Sequence, residues 1–155
     1  MIIVSSCLAG FEVRYNGSHR LDRTVRKLLE EGKAAAVCPE LMGGLPTPRE
    51  AAEIVGGGGE DVLDGTAKVM DRLGNDVTEL YVKGAYEALE TARRLNATLI
   101  VLKEDSPSCG SASVYDGTFS GRKVDGGGVT TALLRRNGFK VISERELPAH
   151  LAELA

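Results

Sequence analysis

Three cysteines, Cys7, Cys38 and Cys109, carry the most versatile chemistry in this chain, and their spacing already excludes some of it. No two form the closely spaced pair usual in thiol redox proteins. An odd number of cysteines this far apart would leave one thiol over in a secreted disulfide framework, so a reducing compartment fits better. Each lies among turn-forming residues: Ser5-Ser6-Cys7-Leu8-Ala9-Gly10, Cys38-Pro39-Glu40 and Ser106-Pro107-Ser108-Cys109-Gly110. Backbone amides in such loops donate to sulfides or to a bound anion, and glycine permits close approach. Three thiolates without a nearby histidine depart from most catalytic zinc sites, although three thiolates plus water on zinc is chemically sound. Soft sulfur ligands equally suit iron–sulfur clusters. A [4Fe-4S] cluster bound by three thiolates keeps one iron without a protein ligand, free to act as a Lewis acid. Idle thiols are the competing reading, because free cysteine is among the most buried residue types.

The elements that must bring these residues together are short. Met1 to Val4, Ala34 to Val37, Thr98 to Leu102 and Lys140 to Ser143 are apolar runs expected of strands buried on both faces. Between them, Asp22 caps a helix with apolar positions Val25, Leu28 and Leu29 that Gly32 stops, and the strongest helix signal runs from Asn75 or Asp76 to Leu95 with Asn96 as its stop. Gly126 to Gly128 open a helix through Leu134, which ends at Gly138, and Pro148 to Leu154 form a terminal one. Leu41 to Pro48 reads as a fixed loop and Arg49 to Val55 as a short helix stopped by the glycine run Gly56 to Gly59. Asp61 to Leu63 and Thr66 to Met70 flank Asp64-Gly65 and predict a β-hairpin; Val114 to Ser120, around Asp116-Gly117, predicts a second.

Strands alternating with helices imply an α/β fold: a single-domain (1–155), open, mostly parallel, Rossmann-like sheet with helices on both faces, plus small β-hairpins. In such sheets ligands bind beyond the carboxyl ends of the strands. All three cysteines follow such strands, so they should converge.

With 22 acidic against 19 basic side chains, the 155-residue chain has no surplus of cations for duplex nucleic acid or anionic membranes. Its first apolar run is too short for a membrane span or signal peptide, which predicts a cytoplasmic protein.

The motifs Cys7-Leu8-Ala9-Gly10 with Val13-Arg14-Tyr15-Asn16-Gly17, Cys38-Pro39-Glu40 with Gly43-Gly44-Leu45-Pro46-Thr47-Pro48-Arg49, and Lys103 followed by Ser106-Pro107-Ser108-Cys109-Gly110 occur in that order. Together with Gly128-Val129-Thr130 and Ser143-Glu144, they resemble the small bacterial domain-of-unknown-function family that includes the thiouracil desulfidases. The resemblance spans Val4 to Leu147. It implies a [4Fe-4S] cluster on Cys7, Cys38 and Cys109, with one iron lacking a protein ligand and free to take sulfur from a small thiolated nucleobase or related thioamide. C=S would become C=O with release of hydrogen sulfide. It also implies catalytic roles for the residues matching Glu40 and Ser106: a carboxylate beside the cluster shuttles protons and a hydroxyl hydrogen-bonds the substrate or the departing sulfur. Ser108, Arg14, Arg49 and Lys103 are the candidate substrate contacts, and the three cations would also offset the charge of a cluster held by three thiolates.

Blander roles stand beside these. Glu40 could cap the following turn, Ser106 and Ser108 could be turn formers around Pro107, and Arg14 and Arg49 could be surface ion-pair residues. His19 and His150 read as solvated. The glycines before Val129 resemble an anion-binding helix start, but without P-loop or GxGxxG spacing. A non-catalytic module holding zinc, an inert cluster or a nucleobase is the alternative from a different class.

Overall fold

Four short runs of β-branched residues and alanine pair in parallel, in the order β2-β1-β5-β8: β1 is Ile2–Ser5, β2 Ala34–Val37, β5 Leu99–Leu102 and β8 Val141–Ser143. Ile3 faces Ala35 on one side and Ile100 on the other, and Val101 faces Ile142. The computed structural model describes residues 1–154. Because successive side chains in a strand point to opposite faces, Ile3, Ile100, Leu102 and Val141 build one core while Val4, Leu99, Val101 and Ile142 build the other. The first is covered by α4 (Thr78–Arg94) and α5 (Val129–Arg136), and the second by α1 (Arg23–Glu30) and the start of α6 (Leu147–Leu154). The expected α/β layering with helices on both faces is therefore present. The chain leaves β1 toward β2 on one side and later returns to add β5 on the other. That reversal opens a crevice at the carboxyl ends of β1 and β5, where ligands bind in sheets of this kind.

The predicted caps are observed. Asp22 accepts the Val25 N–H at 3.1 Å at the start of α1, and Asn96 takes a positive φ of 52° after α4. Asp76 accepts the Thr78 amide at 3.0 Å, so α4 starts two residues after it. The loop predicted from Leu41 begins two residues late, at Gly43, since Pro39–Met42 form one helical turn, α2.

Two expectations fail between residues 49 and 71. The helix expected over Arg49 to Val55 is instead a strand, β3 (Ala52–Val55), and the segment expected to be a strand at Asp61 to Leu63 lies in a helix, α3 (Gly59–Leu63). The strand expected over Thr66 to Met70 is present as β4 (Lys68–Asp71), but it pairs antiparallel with β3 and not with Asp61 to Leu63. The physical reasons are visible. Ile54 and Val55 are β-branched and split between buried and exposed, as a half-covered strand requires, and the Asp61 carboxylate accepts the Gly58 N–H at 2.8 Å, closing a helix start. Gly65, at φ 83°, ends that helix and makes no hairpin turn; an Asp-Gly pair serves either purpose. The second hairpin exists with a wider loop: β6 (Ser113–Tyr115) pairs with β7 (Lys123–Asp125) across residues 116–122.

A three-thiol cavity at the sheet crevice

Cys7 lies in the single 3-10 turn that follows β1, Cys38 directly follows β2, and Cys109 lies in the loop between β5 and β6. β2, β1 and β5 are neighbours, so their carboxyl ends deliver all three cysteines to the wall of one cavity of about 480 Å³. All three are free thiols, Cys7 and Cys109 buried and Cys38 partly so. Burial, then the Glu40 carboxylate and the Cys38 sulfur, push the Cys7 thiol up to about 11 against the pull of Lys103 and Arg14. Burial and Glu40 raise Cys38 as well, countered by the amides of Leu41 and Glu40 and by Arg49. Cys109 is raised most clearly, first by burial, then by Glu40, Cys38 and Cys7, while the Ser5 hydroxyl opposes the shift as a hydrogen-bond donor. Each thiol therefore senses its neighbours. Buried thiols beside a carboxylate resist ionisation, and a bound metal would favour their thiolate forms.

Three thiols on one cavity wall make an all-sulfur donor set, the one that iron–sulfur clusters use and that zinc also accepts.

The remaining candidates separate. Glu40 lines the cavity from the first turn of α2, and its carboxylate meets the Arg49 guanidinium at 2.6 Å. These side chains are 14% and 6% exposed, so this is no surface ion pair. Arg49 also lines the cavity; its Nη1 donates to the carbonyls of Val13 (3.1 Å) and Pro46 (3.2 Å) and to Thr47 Oγ1 (3.3 Å), and its Nη2 holds Glu40. Only Nε is left, buried and without a partner. Ser106 lines the cavity and its Oγ accepts the amides of Ser108 and Cys109, both at 3.1 Å; its own O–H remains to donate. Ser108 is the exception. It is fully buried, does not line the cavity, and its hydroxyl is engaged with Thr130 Oγ1 at 2.7 Å, so the expected substrate contact is turned into the protein. Arg14 and Lys103 line the cavity, Lys103 also bridging to Glu144 at 3.4 Å. His19 lines only the shallower neighbouring hollow.

The glycine-led start of α5 is no anion site. The N–H groups of Gly128, Val129 and Thr130 donate to the carbonyls of Gly110 (2.8 Å), Pro107 (2.8 Å) and Ser108 (2.9 Å). The helix spends its otherwise unpaired amides on clamping the Cys109 loop. A second clamp, absent from the expectations, is Glu104. It is 3% exposed, and its carboxylate accepts the amides of Asp105, Ser111, Ala112 and Ser113 and the Ser111 hydroxyl. Burial would raise that carboxyl, but these hydrogen bonds outweigh it and hold it below the usual range. An acid heading a run of small residues, Ser106 to Ser113, was the available signal. Tyr81 was also missed: it comes from α4, 3% exposed, onto the cavity wall beside Arg49, and burial and Glu40 raise its hydroxyl so that it stays protonated. Nothing in its helical spacing separates it from an ordinary core residue.

Among the described residues no helix is long and apolar enough to cross a membrane. The chain is 60% identical over 147 residues to the uncharacterized protein YbbK of Bacillus subtilis (strain 168), covering 95% of this chain and 97% of that one. A solved structure of a [4Fe-4S]-dependent thiouracil desulfidase, TudS, superposes with a TM-score of 0.85 at 44% identity, over 99% of this chain and 98% of TudS. The 2-thiouracil desulfurase family matches residues 2–146, a span that holds all three cysteines, Glu40 and Ser106, and the chain belongs to that family.

Proposed function

We propose that this protein is a [4Fe-4S]-dependent desulfidase that converts a thiolated pyrimidine such as 2-thiouracil to its oxygen analogue and releases hydrogen sulfide. The observation that carries the reading is the convergence of Cys7, Cys38 and Cys109 on one cavity that Glu40 also lines. Family membership and the likeness to TudS support it. Cys7, Cys38 and Cys109 would hold the cluster, which when bound would supply Lewis-acid activation of the C=S carbon toward water.

The chain's own residues do the rest. The Glu40 carboxylate takes a proton from the attacking water and returns it toward the departing sulfur. Arg49 holds that carboxylate through Oε2 by a charge-assisted hydrogen bond, which restricts its orientation. The Ser106 hydroxyl donates to the substrate while its oxygen braces the Cys109 loop. Arg14 and Lys103 offset the negative charge of thiolates and departing sulfide. The exchange is not a redox reaction: water contributes the oxygen, its protons leave with the sulfide, and no electrons are transferred.

The test is sulfide release and uracil formation from 2-thiouracil by protein reconstituted without oxygen. Wild type should yield one of each per substrate, while Glu40→Ala and Ser106→Ala should keep the cluster absorbance and lose turnover. Retained turnover in Glu40→Ala refutes the proton-transfer role, and a wild-type protein that carries the cluster yet releases no sulfide refutes the reaction.

A further inference from the structure

Aromatic residues are scarce here, three Phe and four Tyr, yet Tyr15, Tyr81, Tyr115 and Phe119 all line the cavity. Two of these rings are already engaged: Arg14 lies over Tyr15 and Lys123 over Tyr115, each 5.7 Å from the ring centroid. Tyr81 sits low in the wall beside Glu40 and Arg49. Phe119 differs in how it is held. It lies in the β6–β7 loop with a φ of 56°, a left-handed conformation that a bulky residue seldom adopts. Glu53, only 8% exposed on β3, holds it there: a single carboxylate oxygen accepts the Gly117 N–H at 3.0 Å and the Phe119 N–H at 3.2 Å. Gly117, at φ 89°, packs so closely on the Ile54 carbonyl that a Cβ would not fit. A buried carboxylate, a close glycine contact and an unfavourable backbone conformation thus all hold Phe119 at the cavity wall.

We propose that Phe119 is a specificity-determining residue that stacks on a planar heteroaromatic ring, with Glu53 as its positioning residue. This rests on the desulfidase reading for the identity of the ring. The site then selects cyclic, aromatic thioamides, whose π-face matches the phenyl ring, over acyclic thioamides with the same C=S group.

The test is calorimetric binding of uracil, which has no sulfur to lose, to the cluster-reconstituted protein, alongside KM and kcat for 2-thiouracil. Phe119→Ala should weaken uracil binding and raise KM about tenfold, the loss expected from one base–aromatic stack, with kcat, iron content and melting temperature unchanged. Phe119→Trp should restore binding and Phe119→Leu should not. Glu53→Gln should raise KM without lowering kcat. Wild-type affinity in Phe119→Ala, or full recovery by leucine, overturns the proposal. Phe119-dependent uracil binding without sulfide release would uphold the stacking site while removing the desulfidase reading; sulfide release with Phe119-independent binding would do the reverse.

Discussion

Replacing Glu104 by alanine removes the acceptor that gathers four backbone amides and one hydroxyl of the loop carrying Cys109. Ala112 and Ser113 are accessible enough for water to take over, so their amides lose little. Asp105 and Ser111 are buried, at 9% and 5% exposure, and would keep two amides and a hydroxyl without partners. At about 1–3 kcal/mol for each buried unpaired donor, less what relaxation recovers, the cost is roughly 3–5 kcal/mol. That is a large part of the ~5–15 kcal/mol by which a domain is stable. Glu104→Gln keeps a carbonyl acceptor but loses the charge, and should cost about 1–2 kcal/mol. Urea unfolding of anaerobic protein reads both values, and iron content reads whether Cys109 is still presented. The carboxyl is held below its usual range, so its stabilisation is complete above the ordinary carboxylate value and is lost as pH falls through the lower folded one. The alanine variant should therefore lose the part of the acid-unfolding profile that this group contributes. An alanine variant that unfolds within about 1 kcal/mol of wild type and still loads fully with iron would refute the idea that Glu104 organises the loop.

Arg49→Lys keeps a positive charge but not the fork that reaches Glu40, Val13, Pro46 and Thr47 at once. Steady-state kinetics should show kcat lower by about 10- to 100-fold with the cluster retained, because a misplaced proton carrier loses most of its advantage. Gly84→Ala in α4 should destabilise by about 1–3 kcal/mol in thermal melts, despite alanine's better helix propensity, because its Cβ would meet the Pro39 carbonyl at the start of α2.

What was legible in the sequence follows from where the physics is local. The parallel strands announce themselves as runs such as Ile2-Ile3-Val4 and Leu99-Ile100-Val101-Leu102, since a strand buried on both faces has no polar positions to disguise it. That was enough to place Cys7, Cys38 and Cys109 at strand ends and to expect one cavity. Residues 49–71 were misread because their signals are ambiguous in isolation: Asp64-Gly65 serves a hairpin or a helix stop, and Ala52 to Val55 become a strand only by pairing with Lys68 to Asp71. The site's supports were hidden for a related reason. Glu104, Glu53 and Arg49 act through amides and carboxylates up to 66 residues away, and Ser108 looks like a cavity residue until Thr130 is seen to hold it.

The central claim is that the three thiols together hold one cluster, and iron with acid-labile sulfide, measured on protein reconstituted without oxygen, tests it most directly. Near four irons and four sulfides per chain are expected for wild type, falling to near zero in Cys7→Ala, Cys38→Ala and Cys109→Ala, each still folded by circular dichroism. Wild-type protein that assembles no cluster under strict anaerobiosis, or any cysteine variant that keeps the full complement, would contradict it.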